Sequence, residues 1–368
     1  MEKSIILILS FLILNSPVFS DGAGTSSVEL LQPGFEVDHT RSDPKRSART
    51  HERDYEGPVI DTHAHLYPPN ERNATSADIH KEELNDIRRV MRKLDVEFVI
   101  FMPTPNDGIR RNQELGVVKR KMIRDIDPDR VKLFCGSNYI TCWLDAAYHN
   151  KYTEVAVQDI LKQLSEDIDS GEYAGVGEVG IYHFDKGYGR QRVLEFPPNF
   201  NPFLRIVDLI GEKGMWLDLH AEPVDPKGRS YEKEVFGGIE LLFHRNPNMK
   251  LIYSHTAMTN PENVRKILNK YPNIMMNVKI ETRHEKWKNL EPVVNTRGEL
   301  YGDWAQLFEE IPDRFMIGTD FHFGRKGVEI SKYKKRIKQV RKILGTLDPK
   351  TARTIAYENA KRLFVDSL

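Results

Sequence analysis

The sequence predicts an α/β protein folded as a (β/α)8 TIM barrel, and three observations carry that prediction. From Val59 onward, short runs of Val, Ile, Phe and Met alternate with longer amphipathic stretches. Apart from the polar residues taken up below, the short runs are apolar rather than alternating, as strands buried on both faces require. Side chains of metal-ligand type, His, Glu and Asp, stand at the ends of these runs, the rim where such barrels build their sites.

The expected strands, in chain order, are Val59–His65, Phe98–Pro103, Val131–Ser137, Gly175–Ile181, Met215–His220, Lys250–His255, Ile274–Ile280 and Phe315–Asp320. Between them lie helical patterns. Leu84, Ile87, Val90, Met91 and Leu94 share one face, as do Val264, Ile267, Leu268 and Tyr271 behind the start signal Asn260-Pro261-Glu262. Val155 to Ile168 and Phe203 to Ile210 read as helices, and Thr351 to Phe364 as a closing amphipathic helix. Strands alternating with helices suit a closed parallel barrel or an open doubly wound sheet. No G-x-G-x-x-G turn follows the first run and no P-loop occurs, which argues against nucleotide binding.

Before the barrel the pattern differs. Met1–Ser20 reads as a signal peptide: Lys3, then an almost wholly apolar Ile5–Leu14, then Ser16-Pro17-Val18-Phe19-Ser20. Export to the periplasm or beyond is the expectation, with no membrane span left after cleavage, since no later run is long and apolar enough. Residues 21–56 are rich in Gly, Pro, Ser, Thr and charge without either period, and read as a disordered linker. Its Arg41, Lys45, Arg46, Arg49 and Arg53 suit a solvated tail better than an anion-binding arm. Residues 57–368 form the expected domain.

The bulk numbers agree. The chain has 368 residues, 39% hydrophobic and 29% charged, which supplies a core and excludes wholesale disorder. Lys+Arg and Asp+Glu both count 54, so no global basic field draws in nucleic acid. The partner expected is a small-molecule substrate; homo-oligomerisation is left open. Cys135 and Cys142 are too few for a zinc-finger pattern, and pairing and burial as thiols are both open to them. Asn73-Ala74-Thr75 is a glycosylation acceptor only in a host that glycosylates.

The chemistry concentrates in five places. Asp61-Thr62-His63-Ala64-His65 closes the first strand, Glu178 lies in Gly175-Val176-Gly177-Glu178-Val179-Gly180, His220 ends the fifth strand, His255 the sixth and Asp320 the eighth. Strand side chains alternate, so His63 and His65 point the same way, about 7 Å apart along the strand. Two neutral imidazoles so placed can converge on one metal ion. A lone His-x-His is weak, because short pairs arise by chance. Histidines ending two later strands and an Asp ending the last make an ordered set.

That set resembles the amidohydrolase superfamily, in its amidohydrolase-related branch of hydrolases and metal-dependent decarboxylases. The likeness rests on Val59-Ile60-Asp61-Thr62-His63-Ala64-His65-Leu66, the later single histidines, Asp320 and the closing Glu358-Asn359-Ala360-Lys361-Arg362-Leu363-Phe364, and it spans residues 59 to 364. The resemblance implies metal binding by His63, His65, Glu178, His220, His255 and Asp320. It implies catalytic roles for Asp320, as proton acceptor from the attacking water, and for His255, as second-metal ligand or substrate-polarising acid. The Gly-Glu-Val-Gly run resembles TatD-type metal-dependent nucleases, in which a glutamate bridges two metals; a supporting role beside a single metal is the other reading. Zinc, one or two ions, is the expected cofactor, with manganese or iron admitted by the carboxylates.

Nearby residues admit plainer readings. His322, His183 and Asp185 could reach substrate, but an exposed loop explains each as well. Asn138 and Tyr139 could bind substrate, but a capped turn explains Asn138 equally. Arg283, His284 and Arg325 would suit a substrate carboxylate or phosphate, against a default of solvation. Trp143 and Tyr182 read first as packing. The expected function is hydrolysis of an ester, lactone, amide or phosphoester by metal-activated water. The alternatives are a decarboxylase on the same barrel, a TatD-like nuclease, and a binding barrel without turnover.

Overall fold

The computed structural model describes residues 53–69, 73–106, 112–184, 194–280, 291–325 and 329–366. The signal segment, the linker as far as position 52, and Asp185, Arg283 and His284 lie outside the described residues. No helix among the described residues is long and apolar enough to cross a membrane.

The strands are β1 (Val59–Leu66), β2 (Val96–Met102), β3 (Val131–Gly136), β4 (Gly175–Gly180), β5 (Tyr182–His183), β6 (Leu194–Glu195), β7 (Trp216–His220), β8 (Lys250–Tyr253), β9 (Ile274–Val278), β10 (Phe315–Ile317) and β11 (Phe321–Phe323). Nine of them form one sheet in the order β10-β9-β8-β7-β4-β3-β2-β1-β11, and β5 pairs with β6 apart from it. Neighbours in the large sheet run parallel. Every residue of β1, β4 and β9 is buried, the polar Asp61, Thr62, His63, His65, Glu178 and Asn277 included.

The expected eight strands are corrected to nine, because the run expected at Phe315–Asp320 stops at Ile317. Thr319 sends its N–H and its hydroxyl to Asp61 rather than into a ladder, and Asp320 turns left-handed at φ 50. The chain then resumes as β11, which pairs with β1, while β10 pairs with β9. The two ends of the sheet are therefore consecutive in the chain. Thr62 Oγ1 donates to Ile317 O at 2.9 Å and Asp320 N donates to His63 O at 2.8 Å, tying β1 to this break.

Curling shows in the packing. Ile60, Phe98, Ile100, Met102, Phe134, Ile252, Met275 and Met316 share one apolar cluster though their strands lie far apart in the sheet order. Ala360 and Phe364 close it from the end of the chain. Burying one such large side chain contributes about 1.5–3 kcal/mol. The outer face carries the other two clusters, against the helices.

The helices are α1 (Lys81–Lys93), α2 (Gln113–Ile126), α3 (Ser137–His149), α4 (Glu154–Asp169), α5 (Asn201–Glu212), α6 (Glu232–Arg245), α7 (Pro261–Lys270), α8 (Gly302–Glu310), α9 (Ile330–Leu344), α10 (Pro349–Arg353) and α11 (Asn359–Phe364). The start signal of α7 works as read: Asn260 Oδ1 accepts from Asn263 N at 2.9 Å and Pro261 takes the first turn. Asn138 and Tyr139 belong to α3 rather than to a capped turn. β3 passes directly into that helix because Gly136 adopts φ 91, and a Cβ there would meet Ile140 and Val176 at 2.9 Å. Cys135 and Cys142 are both free thiols. Tyr55, just before β1, donates its N–H to Arg341 O at 3.0 Å, so the chain is fixed against the end of α9 before the sheet begins.

Candidate functional site

β1 aims two imidazoles the same way because each ring has its other nitrogen held. His65 Nδ1 lies 3.0 Å from the Met102 carbonyl, which can only accept, so Nδ1 carries the hydrogen and Nε2 the lone pair. His63 Nδ1 lies 3.2 Å from Asp218 Oδ2. That carboxylate is fixed in turn by the Asn277 amide at 3.3 Å and by the Ser254 hydroxyl. The Nε2 of His63 is buried with no hydrogen-bond partner among the described residues. It faces Glu178 Oε2 at 3.5 Å and Asp320 Oδ1 at 4.0 Å.

Glu178 on β4 lies between two pairs of imidazoles. Its Oε2 is 3.5 Å from the Nε2 of both His63 and His65. Its Oε1 is 2.6 Å from His220 Nδ1 and 3.4 Å from His255 Nε2. Burial alone would push this carboxyl up, but charge on His63 and His220 and hydrogen bonds from His220 and His255 hold it well below the usual range. His220 Nε2 meets Glu222 Oε1 at 3.0 Å, so a second carboxylate flanks the ring from the other side.

His255 and Asp320 were expected at strand ends, and the structure corrects both positions. β8 stops at Tyr253, and His255, Thr256, Ala257 and Met258 follow with φ values of 56, 53, 56 and 48. Left-handed conformation costs such residues roughly 1–2 kcal/mol each, and strain of this kind clusters at functional sites. The His255 N–H donates to Asn277 Oδ1 at 2.8 Å, which anchors the turn. Burial first of all pushes the His255 imidazole down to about 3, so this ring is neutral at physiological pH.

Asp320 is placed by a buried clamp. Asp61 accepts from Thr319 N at 2.9 Å, from the Thr319 hydroxyl at 2.6 Å and from the Tyr333 hydroxyl at 3.0 Å. The Asp320 carboxylate then divides its oxygens. Oδ1 faces His65 Nε2 at 3.0 Å and His322 Nε2 at 3.4 Å, and Oδ2 faces Lys279 Nζ at 2.6 Å. Burial raises this acid, but Lys279 and His322 outweigh it and hold Asp320 well below the ordinary carboxylate range. Gly318 makes room for the clamp: a Cβ would stand 2.7 Å from Asn277 Cβ and 2.8 Å from His63 Cβ. Gly318→Ala is therefore expected to destabilise the fold by about 1–3 kcal/mol. Urea unfolding measures it, and an unchanged midpoint would remove the packing argument.

The structure thus brings His63, His65, Glu178, His220, His255 and Asp320 into one buried cluster. His322 lies in β11 rather than an exposed loop, stacked on Tyr67 with its Nδ1 2.8 Å from the Tyr67 hydroxyl. His183 is buried in β5, its ring 4.7 Å from that of His220. Tyr182 packs against Phe184 and Tyr231, Trp143 against the main core, and Arg325 is exposed. Sequence reasoning passed over Asp218, Asn277, Lys279 and Glu222. Alternation was the available signal: Asp218 and Glu222 flank His220 at spacing two, and Lys279 stands two beyond Asn277.

Among the described residues, three groups have ligand atoms close enough to hold one cation: His63, His65 and Asp320; His63, Glu178 and His255; and His183, His220 and Glu222. The orphaned Nε2 of His63 and the imidazole and carboxylate donors around it fit a divalent metal.

A curled parallel sheet with such donors gathered in the C-terminal halves of its strands and just past them defines a class of barrel enzymes. Sequence comparison agrees: the amidohydrolase family model matches residues 151–365, more than half of the chain. The chain belongs to the amidohydrolase family. None of the curated proteins compared with it matches. Among solved structures it is similar to a protein from Lactobacillus casei assigned as a metal-dependent hydrolase, at 10% identity, TM-score 0.53, covering 87% of this chain and 98% of that one. It is likewise similar to 4-oxalomesaconate hydratase from Rhodopseudomonas palustris, at 12% identity, TM-score 0.50, covering 84% and 97%. At these identities the likeness concerns the fold.

Proposed function

We propose that the chain is a metal-dependent hydrolase acting on an ester, lactone, amide or phosphoester, on a (β/α)8 barrel whose eighth strand is the interrupted pair β10 and β11. One observation carries the reading: Glu178 presents one oxygen to His63 and His65 and the other to His220 and His255. His63, His65 and Asp320 would hold one ion, with Glu178, His220 and His255 available to a second. The nitrogen-rich set suits zinc, and its carboxylates admit manganese or iron. Bound there, a divalent metal supplies Lewis acidity and brings the pKa of water toward about 7.

The chain's own groups supply the rest. Asp218 and the Met102 carbonyl hold the first-strand rings in orientation. Asp320 Oδ1, directed inward while Lys279 holds Oδ2, is placed to accept a proton and pass it to the leaving group. Neutral His255 brings its Nε2 to 3.4 Å from Glu178 Oε1, inside the cluster. Decarboxylation is the second reading, and Lys279 favours it: an ammonium at 2.6 Å makes Asp320 a weaker base, better suited to holding a ligand than to taking a proton. Export remains part of the reading on Met1–Ser20 alone.

Elemental analysis and an activity screen test this together. Purified protein is expected to carry one or two equivalents of divalent metal and to hydrolyse at least one lactone, amide, ester or phosphodiester. No metal uptake even on addition would sink the metal reading. Carbon dioxide release from aromatic carboxylates without any hydrolysis would give the site to decarboxylation.

A further inference from the structure

His63 and His255 reach the cluster from unlike backbones. One sits on a fully buried strand, and the other opens the left-handed run from His255 to Met258. Their rings nevertheless lie 4.8 Å apart, centre to centre. One side chain touches the mounting of both. Asn277 is fully buried in β9, and alternation turns it to the inside of the sheet with Met275. Its Oδ1 accepts from the His255 N–H at 2.8 Å. A backbone N–H can only donate, so this contact fixes which end of the amide is the oxygen. The Nδ2 end then faces Asp218 Oδ2 at 3.3 Å and His63 Nδ1 at 3.2 Å, and those two atoms are themselves 3.2 Å apart. A buried amide is costly unless its polar ends are met, and here they are met by the groups that mount the two imidazoles. Gly318 leaves the space: a Cβ there would stand 2.7 Å from Asn277 Cβ and 2.9 Å from its Cγ.

We propose that Asn277 is a positioning residue: its planar amide ties the His63 ring to the turn that carries His255, so that both imidazoles are held in one geometry for metal. The proposal rests on the metal-dependent reading of the site and adds the device that joins its two sides. Groups that orient a metal's ligands in this way act on metal affinity without touching the ion. The rival is a filler: Asn277 would then only occupy the space beside Gly318. Leucine separates the two, because it has nearly the shape of asparagine and no polar end.

The test compares wild type with Asn277→Leu and Asn277→Ala. Zinc affinity is measured by competition with a chromogenic chelator. The imidazole nitrogens of metal-free protein are followed by NMR, with signals assigned from His63→Gln and His255→Gln. Asn277→Leu should weaken zinc binding about ten- to a hundredfold and move the signals of both His63 and His255, while that of His149, exposed on α3, stays in place. Asn277→Ala should do the same, and it decides alone if the leucine variant does not fold. In a folded variant, unchanged zinc affinity or a shift at only one of the two rings overturns the proposal. So does a protein that folds with neither residue in place, since Asn277 then belongs to the fold rather than to the site. A wild type that takes up no zinc counts against the metal reading instead, and the nitrogen shifts of metal-free protein still decide whether one amide holds both rings.

Discussion

Asp320→Asn is expected to lower kcat/KM by about 10²–10⁴-fold while the protein stays folded. The folding half of that expectation comes from the backbone. Asp320 sits at φ 50, and asparagine is one of the few residues besides glycine and aspartate that visits this region readily. Its amide is nearly the size of the carboxylate, so the clamp between Asp61, Thr319 and Tyr333 has no reason to move. The loss comes from charge. The carboxylate offers two charged acceptor oxygens, one facing His65 and the other Lys279, whereas an amide is neutral and keeps only one acceptor. Nor can it take up a proton near neutral pH. Steady-state kinetics of the metal-reconstituted variant, with its melting curve, measures both halves. Wild-type turnover by a folded Asp320→Asn would remove Asp320 from the chemistry, and an unfolded variant would contradict the backbone argument.

The sequence carried the parts of this molecule that depend on periodicity. Strands such as Ile274–Val278 show as largely apolar runs because both faces are covered, and α7 shows through its cap. His63 and His65 were legible because two residues apart on a strand means one direction. The breaks were not legible. His255 and Asp320 reach the cluster by leaving the extended conformation, and a left-handed turn on residues other than glycine leaves no compositional trace. Thr319 reads like any strand threonine until its hydroxyl is seen on Asp61. Lys279 and Asp218 escaped notice for a different reason. A lone lysine or aspartate near a strand end is usually solvated, and only the curl of the sheet brings Lys279 to Asp320 and Asp218 to His63. α3 was missed because a strand running straight into a helix at Gly136 leaves no loop to mark the boundary.

Bridging of two ions by Glu178 predicts that Glu178→Gln lowers the metal content from two equivalents to one. A carboxylate can give an oxygen to each of two cations. A glutamine keeps one acceptor and turns the other position into a donor, which cannot face a cation. In this site the two oxygens are already assigned, Oε2 to His63 and His65, Oε1 to His220 and His255, so the amide must give up one side. The side that loses is the one with the poorer remaining donor set. His63 and His65 keep Asp320 as a third partner, whereas His220 and His255 would keep only each other, with Glu222 held against the far nitrogen of His220. The surviving equivalent should therefore remain with the first-strand pair, and His65→Ala in the Glu178→Gln background should remove it. Elemental analysis of the two variants beside wild type decides the matter. One equivalent in both wild type and Glu178→Gln would mean that Glu178 orients imidazoles around a single ion. Two equivalents in both would place the second ion elsewhere, with the buried group of His183, His220 and Glu222 as the remaining set of donors.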